Sequence, residues 1–160
     1  MSLLLSVPQP LVASHIISEF DSGEASLDDW LKRRALINQL SGASRTFVVA
    51  DQDNRVCGYY ALAAGAVAHQ LATGAVRRNM TDPIPVLILA RLAVDQRAQG
   101  IKLGAGLLQD AVSRTGSVAQ NAGVRALVVH ALHEKARAFY GYYGFNISPI
   151  HPLTLMLRLN

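Results

Sequence analysis

Residues 91–108 read Arg91-Leu92-Ala93-Val94-Asp95-Gln96-Arg97-Ala98-Gln99-Gly100-Ile101-Lys102-Leu103-Gly104-Ala105-Gly106-Leu107-Leu108. The apolar run Val86 to Val94 that leads into them has the density of a central strand. A loop carrying Gly100 follows, then a helix carrying Gly104 and Gly106. Glycine permits positive φ and close backbone approach. A helix N-terminus presents unpaired N–H groups and positive potential, a setting for phosphate or pyrophosphate. Arg97 and Gln99 are candidate side-chain donors there. The same glycines would equally serve close packing of helix on sheet. The stretch matches neither the P-loop, which needs G-K-[S/T], nor the dinucleotide pattern G-x-G-x-x-G.

On the N-terminal side, Pro83 and Pro85 punctuate the strand entry. Residues 68–83 read as a loop or short helix. Thr46 to Ala50 and Val56 to Leu62, separated by Asp51-Gln52-Asp53-Asn54, form a hairpin pattern. A helix is expected to start near Ser26. Ser26 and Asp29 have capping-box spacing. Leu27, Trp30, Leu31 and Ala35 share one face, and Gly42 is the stop.

On the C-terminal side, Ile101, Leu108, Ala111, Val112, Ala119 and Ala122 are expected on the buried side of the helix, with Gly123 closing it. Ala126 to Val129 reads as a strand and His133 to Tyr143 as a helix ending before Gly144. Phe145 to Ile147 and Leu153 to Leu159 read as final strands. No repeat or linker divides the chain, so one α/β (α+β) domain over residues 1–160 is expected.

The chain has 160 residues, about half of them apolar and only 16% charged. That composition supports a real core and argues against extensive disorder. No apolar run is long enough to span a bilayer. The N-terminal Met1-Ser2-Leu3-Leu4-Leu5-Ser6-Val7-Pro8 lacks a basic flank and does not read as a signal peptide. Cys57 is the single cysteine, which excludes an internal disulfide. These features favour the cytoplasm. The net charge of +4 and pI near 9.6 are a modest invitation to a polyanionic partner, and on charge alone ordinary solvation of a small domain is the favoured reading.

In this frame the sequence resembles a GNAT acetyltransferase. That family carries R/Q-x-x-G-x-G/A between its central strand and the next helix, and Arg97-x-x-Gly100-x-Lys102 occupies the same frame here. Within the family the resemblance is to toxins of type II toxin–antitoxin systems that acetylate aminoacyl-tRNA. It is carried by Leu27-Asp28-Asp29-Trp30-Leu31, Gly42-Ala43-Ser44-Arg45-Thr46-Phe47-Val48, Arg77-Arg78-Asn79-Met80, Pro83-Ile84-Pro85-Val86, Arg91-Leu92-Ala93-Val94-Asp95 and Ala136-Arg137-Ala138-Phe139-Tyr140-x-x-x-Gly144-Phe145. The order and spacing of these pieces, over nearly the whole chain, make the match specific.

The resemblance implies the GNAT fold: a mixed, mostly antiparallel sheet flanked by helices, with a V-shaped opening for acetyl-CoA. Backbone groups of Leu92, Ala93 and Val94 would pair with the pantetheine arm. Arg97, Ala98, Gln99, Gly100, Ile101, Lys102, Leu103, Gly104 and Ala105 would cradle the pyrophosphate. Tyr140 matches the family tyrosine that protonates the departing thiolate. Lys32, Arg33, Arg34, Arg45, Arg77, Arg78 and Asn79 are the candidate tRNA contacts. A DNA-binding antitoxin that bridges the toxin to operator DNA and represses the promoter, and a homodimer, are the partners implied. No metal and no membrane are expected.

Lys102 departs from the family, which has glycine or alanine there and often Gln-Gly-x-Gly in this toxin group. Its side chain either crowds the pyrophosphate or forbids the backbone angle, or it turns outward and pairs with a phosphate.

Acyl transfer needs a neutral amine, a polarised carbonyl and an acid for the sulfur. A phenol with a reference pKa near ~10 is protonated at neutral pH and suits the last role. No glutamate lies in the central strand to act as base. An α-amine, with pKa roughly 8 or lower, needs less help than a lysine near ~10.4.

The leading expectation is therefore N-acetylation of aminoacyl-tRNA, which would block translation. A GNAT enzyme of a small amine, peptide or protein is the alternative. A third is a binding module whose cofactor loop Lys102 has disabled. Lys32-Arg33-Arg34 also reads simply as a solvated helix face. Cys57 reads as a buried hydrophobe. His130 is as compatible with a structural role as with a ligand contact, and His133 with a cap. The five histidines lack metal-site spacing. Asn79 also reads as a turn residue, and Trp30 as a core anchor. One or two of Tyr140, Tyr142 and Tyr143 read as core or dimer contacts.

Overall fold

Strand β1 (Gln9–Pro10) pairs antiparallel with β2 (Arg45–Ala50), which pairs antiparallel with β3 (Val56–Val67). The expected hairpin is therefore present, and β3 runs five residues beyond the expected Leu62. The computed structural model describes residues 4–160, so Met1-Ser2-Leu3 of the apolar N-terminal run lies outside the described residues. The remaining strands are β4 (Ile84–Val94), β5 (Ala126–His130), β6 (Asn146–Ile147) and β7 (Thr154–Arg158). The seven strands follow the order β1-β2-β3-β4-β5-β7-β6. β4 and β5 are parallel, and β7 is antiparallel to both β5 and β6. The mixed, mostly antiparallel sheet is the one expected.

Two compact units make up the chain: Met1–Ala63 with Arg91–Ala111, and Ala64–Ala90 with Val112–Asn160. β3 and β4 contribute residues to both.

In the first unit, α1 (Ala25–Trp30), a π turn (Leu31–Ala35) and α2 (Leu36–Ser41) replace the single helix expected. Leu27, Leu31 and Ala35 recur every four residues and are buried, as the spacing predicts. They join Phe20, Val48, Val56 and Tyr59 in one core cluster, with Trp30 packed against it. The Trp30 and Tyr59 rings stack at 6.1 Å, and the Tyr59 hydroxyl donates to the Leu27 carbonyl at 2.6 Å. Gly42 ends α2 at φ 82°. The expected capping box does not form. Ser26 lies inside the helix, and Glu24 occupies the N-cap without a side-chain bond. Ser22 instead donates its N–H and hydroxyl to Asp28.

Helix α4 (Leu103–Ala119) packs over β3 at Gly58. A Cβ on Gly58 would meet Leu107 Cδ1 at 2.9 Å and Leu103 Cδ2 at 3.1 Å, so the glycine lets the first turns of α4 lie close on the sheet. Leu107, Leu108 and Ala111 form the buried side. Two expectations fail here. Ile101 precedes the helix and is 56% exposed, and Ala122 and Gly123 lie beyond its end at Ala119. The apolar periodicity continues past both termini of the helix, so it does not mark them.

In the second unit, α3 (Gly74–Arg77) and α5 (Glu134–Tyr142) accompany the sheet, and a short 3-10 turn spans His69–Leu71. Val67, Ala72, Val76, Ile84, Val86, Ala126, Val128 and Met156 form its core. The β4–β5 register covers Leu87–Leu89 opposite Leu127–Val129, while β4 itself continues to Val94.

Candidate active site

The end of β4 delivers the chain into a 3-10 turn, Gln96–Ala98, and then the glycine loop. Ala93 is buried and Leu92 and Val94 are half-buried. The Arg91 guanidinium lies over the Trp30 ring, 5.2 Å from its centroid. Asp95 caps the turn: its Oδ1 accepts the Arg97 N–H at 2.9 Å and the Arg97 Nε–H at 3.0 Å. Burial works against ionisation of Asp95, but the donors of Arg97 and the Asp21 N–H outweigh it and hold the carboxyl below its ordinary range. Arg97 keeps Nη1 and Nη2 without a partner among the described residues, and its side chain is 42% exposed.

Gln99 is not a free donor. Its amide is spent on the carbonyls of Val94 and Ser22, at 3.0 and 3.1 Å, and so acts as a strut. Ala98 is fully buried and anchors the turn. Gly100 has φ +87° with open space where a Cβ would sit. Ile101 and Lys102 are exposed, and Leu103, Gly104 and Ala105 are half-buried. Among the described residues no backbone acceptor meets the N–H groups of residues 100–105, and Gly106 is the first to bond, to the Lys102 carbonyl at 3.2 Å. A run of unpaired donors at a helix start is suited to an anion.

Lys102 has φ +62°. The backbone angle that glycine would take freely is thus reached by a lysine, at a cost of about 1–2 kcal/mol. Its side chain is exposed and has no carboxylate partner among the described residues.

Tyr140 lies in α5. His133 caps this helix, with Nδ1 accepting the Ala136 N–H at 3.2 Å, and Glu134 pairs with Arg137. The Tyr140 ring meets Phe139 and Phe145 edge-on, at 5.2 and 5.7 Å. Its carbonyl accepts the N–H groups of Tyr143 and Phe145, both at 3.1 Å, and Gly144 at φ +95° turns the chain away. The residue is 6% exposed, and the hydroxyl has no hydrogen-bond partner among the described residues. Burial pushes its pKa above the ordinary phenol value, so the group stays protonated. Tyr142 and Tyr143, by contrast, are exposed.

The basic candidates divide into three groups. Lys32, Arg33 and Arg34 are exposed on the π turn, with no acidic partner among the described residues; Arg34 reaches Asn38 at 3.3 Å. Arg45 is partly committed, donating to the Gln39 carbonyl at 2.8 Å. Arg77 and Arg78 are exposed at the end of α3, where Asn79 at φ 59° turns the chain. Beneath them Arg125 donates to the carbonyls of Ala75, Val76 and Arg78, and Arg158 to that of Ala75. Sequence patterns single out neither arginine. Each flanks an apolar strand and looks like an ordinary solvated strand end.

His130 Nδ1 contacts the Thr154 hydroxyl at 3.0 Å, on an exposed residue. Cys57 is buried, and burial pushes its thiol pKa up, so it is not an activated nucleophile. Among the described residues no three His, Cys, Asp or Glu side chains gather as metal ligands. No helix among them is long and apolar enough to cross a membrane.

The family profile described as "Acetyltransferase (GNAT) domain" matches residues 43–147, which span both the glycine loop and Tyr140. The chain belongs to the GNAT acetyltransferase family. This GNAT chain is 53% identical to the tRNA-acetylating toxin of Mycobacterium tuberculosis over 154 residues, covering 96% of this chain and 92% of the relative. Its fold is similar to that of a KacT variant, at TM-score 0.90 and 25% identity, covering 97% and 95% of the two chains. It is also similar to AtaT complexed with acetyl-methionyl-tRNAfMet, at TM-score 0.88 and 26% identity, covering 96% and 94%. AtaT is further seen with the C-terminus of its antitoxin AtaR and acetyl-CoA, at TM-score 0.82, and as the AtaT–AtaR complex bound to DNA, at 0.78.

Proposed function

We propose that this chain, read as one GNAT domain, is a toxin that transfers the acetyl group of acetyl-CoA to the α-amino group of aminoacyl-tRNA and so stops translation. The observation that carries this is the 53% identity to a tRNA-acetylating toxin over almost the full length of both chains. Acetylating a bare amine removes the nucleophile on which peptide-bond formation depends.

In this reading the N–H groups of residues 100–105 and the free Nη groups of Arg97 bind the acetyl-CoA phosphates. Leu92, Ala93 and Val94 offer backbone groups to the pantetheine arm. The amine nitrogen attacks the thioester carbonyl, a C–N bond forms, the C–S bond breaks and the sulfur takes the Tyr140 proton. The ammonium proton leaves to solvent, and Tyr140 is reprotonated from the same source. A buried, protonated phenol without an internal acceptor is matched to that role. No strong base is required, because an α-amine with pKa roughly 8 is partly neutral at pH 7. Lys32, Arg33, Arg34, Arg45, Arg77, Arg78 and Asn79 bind the tRNA. A DNA-binding antitoxin holds the toxin on operator DNA, the toxin pairs as a homodimer, and the system works in the cytoplasm. What the AtaT complexes contain supports the tRNA, antitoxin and DNA partners.

The test is incubation with labelled acetyl-CoA and total aminoacyl-tRNA, beside Tyr140→Phe. Label is expected on the aminoacyl group, with kcat in the variant down by about 10²-fold or more. The variant should unfold at the wild-type temperature, since the lost hydroxyl has no partner in the fold. Label that appears only on small amines or proteins refutes the tRNA assignment, and undiminished kcat in Tyr140→Phe refutes the acid.

A further inference from the structure

The Asp95 carboxylate is 2% exposed where β4 passes into the glycine loop. Besides the two Arg97 donors on Oδ1, its Oδ2 accepts the Asp21 N–H at 3.0 Å. Asp21 answers with its carbonyl, which accepts the Gln96 N–H at 2.9 Å, and with Oδ1, which accepts Gln96 Nε2 at 3.2 Å. One residue on, the Ser22 carbonyl accepts Gln99 Nε2. Ser22 then donates to Asp28 in the first turn of α1, from its N–H at 3.0 Å and its hydroxyl at 2.6 Å. The Asp21–Gly23 segment precedes residue 43, where the GNAT match begins, yet it is bonded to the loop at four points.

Burying a carboxylate is costly unless charge-assisted hydrogen bonds offset the loss of water. Asp95 has three such donors. Engaging Arg97 through Nε fixes the plane of the guanidinium and leaves both terminal amino groups free of the carboxylate. The pair is near neutral in sum, so the loop gains direction rather than charge.

We propose that Asp95 is a positioning residue for the anion-binding loop: it aims the Arg97 amino groups at the phosphates of acetyl-CoA, and the Asp21 N–H holds the carboxylate in the orientation that does so. This rests on the acetyl-CoA reading above. Asp95→Asn tests it, because the volume is kept while one acceptor becomes a donor, opposite either Arg97 or Asp21.

The dissociation constant of CoA is measured by calorimetry on the wild type, Asp95→Asn, Arg97→Ala and the double variant. Each single change is expected to weaken binding roughly tenfold, and the double variant to bind within about twofold of Arg97→Ala, since both act through one guanidinium. In acetyl transfer, Asp95→Asn raises KM for acetyl-CoA by a similar factor, with kcat and the aminoacyl-tRNA KM within about twofold of wild type. Wild-type CoA affinity in Asp95→Asn, or losses that multiply in the double variant, overturns the positioning role. A matching fall in kcat also overturns it, because general loss of structure then explains the variant. Should the wild type itself fail to bind CoA, the acetyl-CoA reading falls and the proposal with it.

Discussion

Arg125 Nε donates to the carbonyl of Val76 at 3.0 Å, joining residues 49 positions apart, and Nη2 reaches the carbonyls of Ala75 and Arg78 at 3.3 and 3.1 Å. One guanidinium thus gathers the carbonyls at the end of α3 that the helix leaves unpaired. Arg125→Ala is expected to cost about 1 kcal/mol in urea unfolding. Because Arg77 and Arg78 stand on that turn, the aminoacyl-tRNA KM should rise several-fold while the acetyl-CoA KM stays constant. Arg125→Lys should not rescue it, since one ammonium cannot span three carbonyls as a planar fork does.

Arg77 and Arg78 are exposed and have no acidic partner among the described residues. Replacing both with Glu should lower tRNA acetylation and flatten its dependence on salt, by roughly one unit of log–log slope for each phosphate no longer bound. CoA binding, measured separately, should not change. Unaltered tRNA acetylation in the variant would remove these two residues from the RNA surface.

Lys102 sits at φ +62°, a region that glycine enters freely and alanine does not. Lys102→Gly should therefore be more stable than Lys102→Ala by about 1 kcal/mol in denaturant unfolding, both having lost the ammonium. Comparing the CoA affinity of Lys102→Ala with wild type then isolates the ammonium. A loss in the alanine variant means that the lysine pairs with a phosphate, and a gain means that it crowds the site.

Burial pushes the pKa of His15 down, and its Nδ1 accepts the Val12 N–H at 3.0 Å, which requires that nitrogen unprotonated. The folded pKa is below the unfolded value near ~6.5. The stabilisation is therefore complete above ~6.5 and is lost as pH falls through the folded value. The urea midpoint should drop between about pH 7 and pH 5, and His15→Gln should shrink that drop. An equal drop in the variant would assign it to other groups.

Much of this fold is legible along the chain because its signals are local. The four-residue recurrence of Leu27, Leu31 and Ala35 marks a buried helix face, and Gly42 at φ 82° marks its end. The hairpin follows from two apolar runs around a polar turn. The glycine loop is visible as an apolar strand running into Gly100, Gly104 and Gly106, whereas Tyr140 is set apart from Tyr142 and Tyr143 only by its place in the motif that the sequence shares with GNAT acetyltransferases. The same reasoning fails where a longer-range contact competes. Ser26 has cap spacing, but Ser22 and Asp28 take the hydrogen bonds, because the entry to α1 is set by the loop bonded to Asp95.

Composition and order of residues thus suffice for the class of fold and for where the glycine-rich loop falls along the chain. Tertiary structure decided the rest. It turned Gln99 from a donor into a strut and tied Arg45 to Gln39. It put Arg125 under α3 and made Asp95 the hub of a segment 74 residues away. Hydrogen-bond partners far apart in the chain leave no periodic trace, because directional bonds depend on the position of one atom and not on the average character of a face.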